Sequence, residues 1–193
     1  MRKRGFFSNK VAVFAVCFLT FVACIVVYQR FWGSSNYEAS AGRVLLVTSM
    51  GNITIELYAD MPITVANFKN LTNMGIYNGT IFHRVVGGFV VQGGDPTGTG
   101  MGDPSIVAIP DEFTDHNHNF RETVAMANKG PDTGSSQFFI NLVDNTQLDS
   151  GYPVFGRVVS GMDVVDAIGH VETNPDTRRP LTDVTLIKVL ILS

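Results

Sequence analysis

Hydrophobic and polar positions follow three patterns along this chain, and the first of them is not periodic at all. Residues Val11 to Val27 (VAVFAVCFLTFVACIVV) run for seventeen positions without a charge, a glycine or a proline. That length lies at the short end of what crosses a bilayer as a helix. Tyr28, Phe31 and Trp32 follow, and amphipathic rings of this kind settle at a membrane–water interface. A cleaved leader would have a shorter apolar stretch followed by a small-residue site. Here Tyr-Gln-Arg-Phe-Trp follows, and apolar Ile25-Val26-Val27 spoils a lipoprotein-like site at Cys24. The pattern predicts a basic tail over 1–10 and a transmembrane signal anchor over 11–30. A small, polar linker over 31–42 follows, and one domain over 43–193.

Within that domain the pattern alternates between period two and helical spacing. Val44 to Thr48 and Ile53 to Tyr58 are β-rich runs around Ser49-Met50-Gly51-Asn52, which predicts a strand–turn–strand hairpin. Asp60-Met61-Pro62 offers an N-cap with proline near the first helical position, and Val65, Phe68 and Leu71 recur at helical spacing up to Gly75. Ile81-Phe82 and Phe89 to Val91 are strand-like pieces broken by Gly87-Gly88, and 93–104 is a glycine-rich loop. Glu122 to Ala127, Gln137 to Leu142 and Val184 to Leu192 predict further strands, and Met162, Val165 and Ile168 a second helix. Short strands with two helices at the edges make a mainly β barrel or sandwich.

Charge sets the direction of the anchor. Arg2, Lys3, Arg4 and Lys10 precede the span, whereas only Arg30 and Arg43 follow it closely. The positive-inside tendency keeps the N-terminus cytoplasmic and sends the domain to the extracytoplasmic or lumenal side. A periplasm, an archaeal cell surface and a secretory lumen all satisfy it. The whole chain is 45% hydrophobic and 16% charged. Over 43–193 nine Lys and Arg face sixteen Asp and Glu, a net charge of −7, which excludes a nucleic-acid partner for want of a basic footprint. Both cysteines, Cys17 and Cys24, fall in the apolar run, so thiol catalysis and disulfides are excluded from the domain. Three N-x-Thr sequons stand at Asn52, Asn70 and Asn78.

Familiar catalytic constellations are missing. Gly134-Ser135-Ser136 is no nucleophile elbow. His116 and His118 lack a third ligand at metal-binding spacing and are expected to be exposed loop residues. The 93–102 glycines lack the lysine and the strand–helix context of a phosphate loop.

Two stretches are informative, Phe82-His-Arg84-Val-Val-Gly-Gly-Phe89-Val-Val-Gln92-Gly-Gly-Asp95 and Met126-Ala127-Asn128-Lys-Gly-Pro-Asp-Thr-Gly-Ser-Ser-Gln137-Phe138-Phe139-Ile140. With the later Val154-Phe155-Gly156-Arg157-Val158, they resemble the cyclophilin family of peptidyl-prolyl cis-trans isomerases in residue type, order and interval. The resemblance runs from about Val44 to the C-terminus. It implies a closed eight-stranded antiparallel barrel capped by two helices, a groove on its outer face, and no cofactor. It places Arg84 at the catalytic arginine and counts Gln92 with it as catalytic. Phe89, Val90, Phe139 and Leu148 fall at positions lining a proline pocket. Gln92, Ala127, Asn128 and Gln137 fall at positions holding the substrate backbone. Tyr152 stands near the groove where many eukaryotic members have His, Val90 where they have Met, and Gln147 where they have Trp. That tryptophan supports cyclosporin binding in the family, so weak inhibition is expected here.

The implied partners are proline-containing segments of unfolded or flexible exported or membrane proteins, with membrane attachment through residues 11–27. A non-catalytic tethered module that binds Pro-containing segments in the same groove is the alternative. Taken singly, Arg84 would pass for a surface ion-pair partner and Phe89, Phe138 and Phe139 for core. Alternation along the strand predicts that Phe138 and Phe139 point to opposite faces, one to the core and one to the groove.

Overall fold

The hairpin that opens the domain sets the register of its sheet. In the computed structural model, which describes residues 40–192, β1 (Ser40–Thr48) pairs antiparallel with β2 (Gly51–Tyr58), Val44 opposite Ile55 and Leu46 opposite Ile53. These four and Leu57 are fully buried, as period-two alternation requires of a strand with one face on a core. β1 starts at Ser40, so residues 40–42 of the expected linker belong to the sheet. The ladder with Tyr58 and Leu57 continues past a bulge there, which a small polar composition does not reveal.

The first helix, α1 (Pro62–Asn73), carries proline in its first turn and buries Val65, Phe68 and Leu71 as its spacing predicts. Asp60 does not cap it. The cap comes from far along the chain, where the Glu112 carboxylate accepts the N–H groups of Ile63 (3.0 Å) and Thr64 (2.6 Å) and the Thr64 hydroxyl (2.8 Å). A carboxylate suits both the orphan donors and the positive end of the helix dipole.

The remaining elements are β3 (Thr80–Ile81), β4 (Arg84–Val86), β5 (Val90–Gly93), β6 (Thr123–Met126), β7 (Phe138–Asn141), β8 (Val154–Ser160), α2 (Met162–Gly169) and β9 (Thr185–Leu192). All nine strands form one antiparallel sheet in the order β3-β9-β1-β2-β8-β6-β7-β5-β4. Its end strands are separated in sequence by Phe82 and His83 alone, so the sheet must curl back on itself. An isolated bridge between Ile81 and Asp95 links the two ends. The expected eight strands in a closed ladder are therefore nine in a curled one, because the run from Thr80 to Val86 breaks where Phe82 turns inward. β8 was not anticipated from periodicity. Gly156 interrupts its apolar run because β2 comes close at that point, where a Cβ would lie 2.6 Å from the Glu56 carbonyl oxygen.

The concave side holds the core. Phe68, Tyr77, Phe138 and Phe155 form an aromatic cluster with ring centroids 4.9 to 5.8 Å apart, among them the edge-to-face pairs Phe68–Phe138 and Tyr77–Phe138. The Tyr77 hydroxyl donates to the Ser136 carbonyl at 3.1 Å, so its burial leaves no orphan donor. Among the described residues no helix is long and apolar enough to cross a membrane, and the anchor expected over 11–30 lies outside them.

Candidate active site

The strand registers carry one row of side chains across the convex face. Arg84 on β4 stands opposite Gln92 on β5, Gln92 opposite Phe139 on β7, Phe139 opposite Ala125 on β6, and Ala125 opposite Val154 on β8. Alternation sends their sequence neighbours Val85, Val91, Phe138, Val124 and Phe155 into the inner core. Val90, Ala125, Ala127, Phe139 and Val154 instead form a second, outer apolar cluster, joined by Phe89, Leu148 and Tyr152. Phe138 and Phe139 thus face opposite ways, as alternation predicts. Small Ala127 near the Phe139 ring leaves a depression instead of a filled surface.

That depression is a groove of about 220 Å³ lined by Arg84, Phe89, Val90, Gln92, Ala127, Asn128, Phe139, Leu148 and Tyr152. Nine of the ten residues singled out from the sequence meet there. The tenth, Gln137, lies in an adjoining cavity of about 320 Å³ that shares Gln92, Ala127 and Asn128 with the groove.

Polar side chains along the rim form a relay. Arg84 Nη1 donates to Gln92 Oε1 (3.2 Å), Gln92 Nε2 to Gln137 Oε1 (3.0 Å), and Gln137 Nε2 to the Gly100 carbonyl (3.1 Å). The guanidinium carbon also lies 5.9 Å from the centroid of the Phe89 ring, within cation–π range. Among the described residues Arg84 pairs with no carboxylate, so its positive charge is not neutralised by an ion pair. The backbone N–H and C=O of Asn128 have no hydrogen-bond partner among the described residues. Its side-chain amide donates to the Gly151 carbonyl (2.7 Å) and ties the segment after β6 to the loop that presents Tyr152. Tyr152 meets Phe139 edge-on at 5.5 Å.

The supports beneath the groove escaped sequence reasoning. Asn145, buried, donates to the Phe89 carbonyl (3.0 Å) and to Asn141 (2.8 Å), and Asn141 in turn donates to Asn119 (3.1 Å). Asn117 bonds the carbonyls of Asp149 and Tyr152 and accepts from the Val154 N–H. These asparagines are far apart in sequence, and no local pattern groups them. Asp95 had a visible signal, an Asx-turn followed by Thr and Gly. Its carboxylate accepts from Thr97, Gly100 (2.7 Å) and Gly102 (3.1 Å), which fixes the loop whose Gly100 carbonyl ends the relay. Burial pushes the Asp95 carboxyl up, but the bonds from Thr97, Gly102 and Gly100 together hold it below its ordinary value.

Two other expectations meet the geometry directly. Gln147 sits exposed on the short 3₁₀ turn Thr146–Leu148 and does not line the groove. His118 bonds Asp149 (3.1 Å) and stacks on Phe120, and among the described residues no cluster of potential metal ligands exists. His83, next to Arg84, is buried, and burial holds its pKa below the ordinary value against the opposing pull of Asp95 and Gln137.

An apolar slot for a small ring, one unneutralised guanidinium at its rim and the free backbone groups of Asn128 define a site for an extended peptide. Sequence comparison agrees with this class. Residues 43–191 match the cyclophilin-type peptidyl-prolyl cis-trans isomerase family model, and the chain belongs to that family. It is 48% identical to human "Peptidyl-prolyl cis-trans isomerase-like 1" over 75% of this chain and 89% of that one. It is 46% identical to fission yeast (Schizosaccharomyces pombe) "Peptidyl-prolyl cis-trans isomerase ppi1" over 77% and 98%. It also matches mouse "Peptidylprolyl isomerase domain and WD repeat-containing protein 1" at 47% identity but spans only 23% of that protein. Among solved structures, a Cryptosporidium parvum cyclophilin-type isomerase superimposes with a TM-score of 0.75 at 31% identity, covering 79% of this chain and 98% of its own. The same protein has been solved in the presence of the dipeptide Ala-Pro, with a TM-score of 0.74.

Proposed function

We propose that this chain accelerates X-Pro isomerisation in exported or membrane proteins, from an N-terminal membrane anchor over 11–30 that places the domain on the extracytoplasmic or lumenal side. Isomerase activity is the activity of the family. Substrates, tether and residue roles are the further content of the proposal. The observation that carries it is the row from Arg84 through Gln92 to Phe139, which sets a cation beside an apolar slot.

The chemistry asks for little more. Turning a peptide C–N bond costs roughly 18–20 kcal/mol because amide resonance is lost. In the twisted state the prolyl nitrogen becomes pyramidal and regains a lone pair that can accept a hydrogen bond. Arg84 is held at one nitrogen by Gln92, which leaves other guanidinium donors for that lone pair. Such a bond strengthens only in the rotated state, which is differential binding of the transition state. Phe89, Val90, Phe139 and Leu148 hold the proline ring while the acyl side turns. The apolar walls lower the local dielectric and strengthen the bond from Arg84. The Asn128 backbone offers one donor and one acceptor to the substrate chain, and Gln137 keeps Gln92 aligned through the relay. Uncatalysed X-Pro exchange takes tens to hundreds of seconds, slow enough for a catalyst at the exit side of a membrane to speed folding.

The test follows cis/trans exchange of a proline peptide by NMR with the fragment 40–193, beside its Arg84→Ala variant. Fast exchange that collapses in the variant supports the proposal. Peptide-induced shifts without accelerated exchange would make the domain a peptide-binding module. Protease accessibility of the full chain in sealed membrane vesicles tests the orientation.

A further inference from the structure

The three N-x-Thr sequons remain unused by the isomerase site. Asn52 is the second residue of β2, Asn70 lies on α1, and Asn78 precedes β3. All three side chains are exposed. None of them stands on a strand that lines the groove. The groove is built on the β4-β5-β7-β6-β8 half of the sheet, whereas Asn52 and Asn78 belong to the β2-β1-β9-β3 half, and Asn70 is exposed on α1, whose Phe68 packs inward on Phe138 and Phe155. On the groove side Asn117, Asn119, Asn128, Asn141 and Asn145 are each followed two residues later by something other than Ser or Thr. Acceptor asparagines therefore occur only on elements that do not line the groove.

Local geometry suits attachment as well. Glycosylation joins the sugar to the amide nitrogen and leaves the amide oxygen free to accept. Asn78 uses Oδ1 to accept the Val189 N–H (2.9 Å), so a substituent on Nδ2 leaves that bond in place. The space beside Nδ2 is kept by Gly75, where a Cβ would stand 3.3 Å from it. Among the described residues, the amides of Asn52 and Asn70 take part in no hydrogen bond. The threonines Thr72 and Thr80 end buried, each with its hydroxyl on a backbone carbonyl. An acceptor threonine is needed while the chain is still extended, and its later burial does not obstruct a sugar on the exposed asparagine.

We infer that Asn52, Asn70 and Asn78 are N-glycosylation sites, and that the exported domain carries its oligosaccharides outside the peptide groove. This rests on the extracytoplasmic or lumenal orientation proposed above. The chemical class of the modification is an oligosaccharide transferred from a lipid-linked phosphate carrier: the bond from the sugar's anomeric carbon to the amide nitrogen forms as its bond to the carrier's phosphate oxygen breaks, the lipid phosphate leaves with that electron pair, and the amide gives up one proton.

The experiment translates the full chain into sealed microsomes that contain an oligosaccharyl transferase. Half of each sample is treated with a glycan-removing endoglycosidase, and half with protease outside the vesicles. Three endoglycosidase-sensitive mobility steps are expected, each of Asn52→Gln, Asn70→Gln and Asn78→Gln removing one, with the domain protected from protease. Isomerase activity before and after glycan removal should agree within twofold. A protected domain without any mobility step overturns the glycosylation and leaves the orientation standing. A domain digested by outside protease overturns the orientation and this inference with it. A variant that loses no step removes its own asparagine from the set. A rise in activity of tenfold or more on glycan removal would overturn the placement outside the groove.

Discussion

Arg84→Ala is the sharpest perturbation this site allows, because the side chain works at the rim without holding the fold together. The guanidinium has one side-chain hydrogen bond, to Gln92 at 3.2 Å, and no ion pair among the described residues. Its loss should therefore leave the unfolding midpoint nearly unchanged. Catalysis is another matter. Removing one preorganised donor aimed at a developing charge costs about 10²–10³ in rate, or about 2.7–4 kcal/mol. At about 1.4 kcal/mol per factor of ten, that is a modest share of a barrier of roughly 18–20 kcal/mol. The bond forms in the twisted state and scarcely in the planar ones, so kcat should fall by about 10²–10³ with KM changed little. Arg84→Lys keeps the charge but loses the fork that reaches Gln92 and substrate together, so an intermediate loss of about tenfold is expected. The assay is NMR line-shape or exchange analysis of a proline peptide at saturating and sub-saturating concentrations, with chemical denaturation as a control. A kcat loss below about fivefold in a well-folded Arg84→Ala protein would refute the role assigned to the guanidinium.

Three further outcomes follow from the same geometry. Glu112→Ala removes the acceptor for Ile63 and Thr64 at the start of α1 and should cost about 0.5–2 kcal/mol in denaturant unfolding, the range for a lost helix cap, with isomerase kinetics unaffected. Stability should fall on acidification in two stages. His83 binds a proton less readily folded than unfolded, so stability is full above the ordinary histidine value of about 6.5 and declines below it by at most about 1.4 kcal/mol per pH unit. Glu56, held low chiefly by its hydrogen bond from Arg157, and Asp95 have depressed folded values, so their contribution is present above the ordinary carboxyl range of about 4 and lost as pH falls through it. Urea midpoints from pH 7 to 3 check both stages, and His83→Gln should flatten the first while sparing the second. Cyclosporin should inhibit weakly because exposed Gln147 offers no apolar wall. Gln147→Trp should strengthen inhibition by tenfold or more in the exchange assay, whereas nanomolar inhibition of the unaltered protein would overturn this.

Much of this protein was legible from its residues because the determining interactions are local or carried by motif. Alternation in Val44 to Thr48 and Ile53 to Tyr58 fixed a hairpin, and Val65, Phe68 and Leu71 fixed the buried stripe of α1. Period two alone sent Phe138 and Phe139 to opposite faces. The groove residues were legible as a set only through resemblance, since Arg84 and Tyr152 are 68 positions apart and no spacing rule joins them. What stayed hidden was long-range pairing. Glu112 caps a helix about fifty residues earlier, Asn145 holds the Phe89 carbonyl, and Gly156 is small because another strand passes over it. A polar residue destined for burial looks, in sequence, like one destined for solvent. Its partners are chosen by the curl of the sheet, which brings β3 and β4 together at opposite ends of one ladder. Sequence by itself determined most of the elements, β8 and the start of β1 excepted, and the charge and candidate chemistry, because these depend on residue type and short-range period. Tertiary structure alone decided which of those side chains share a groove, what holds each one still, and that all three sequons are exposed on elements that do not line it.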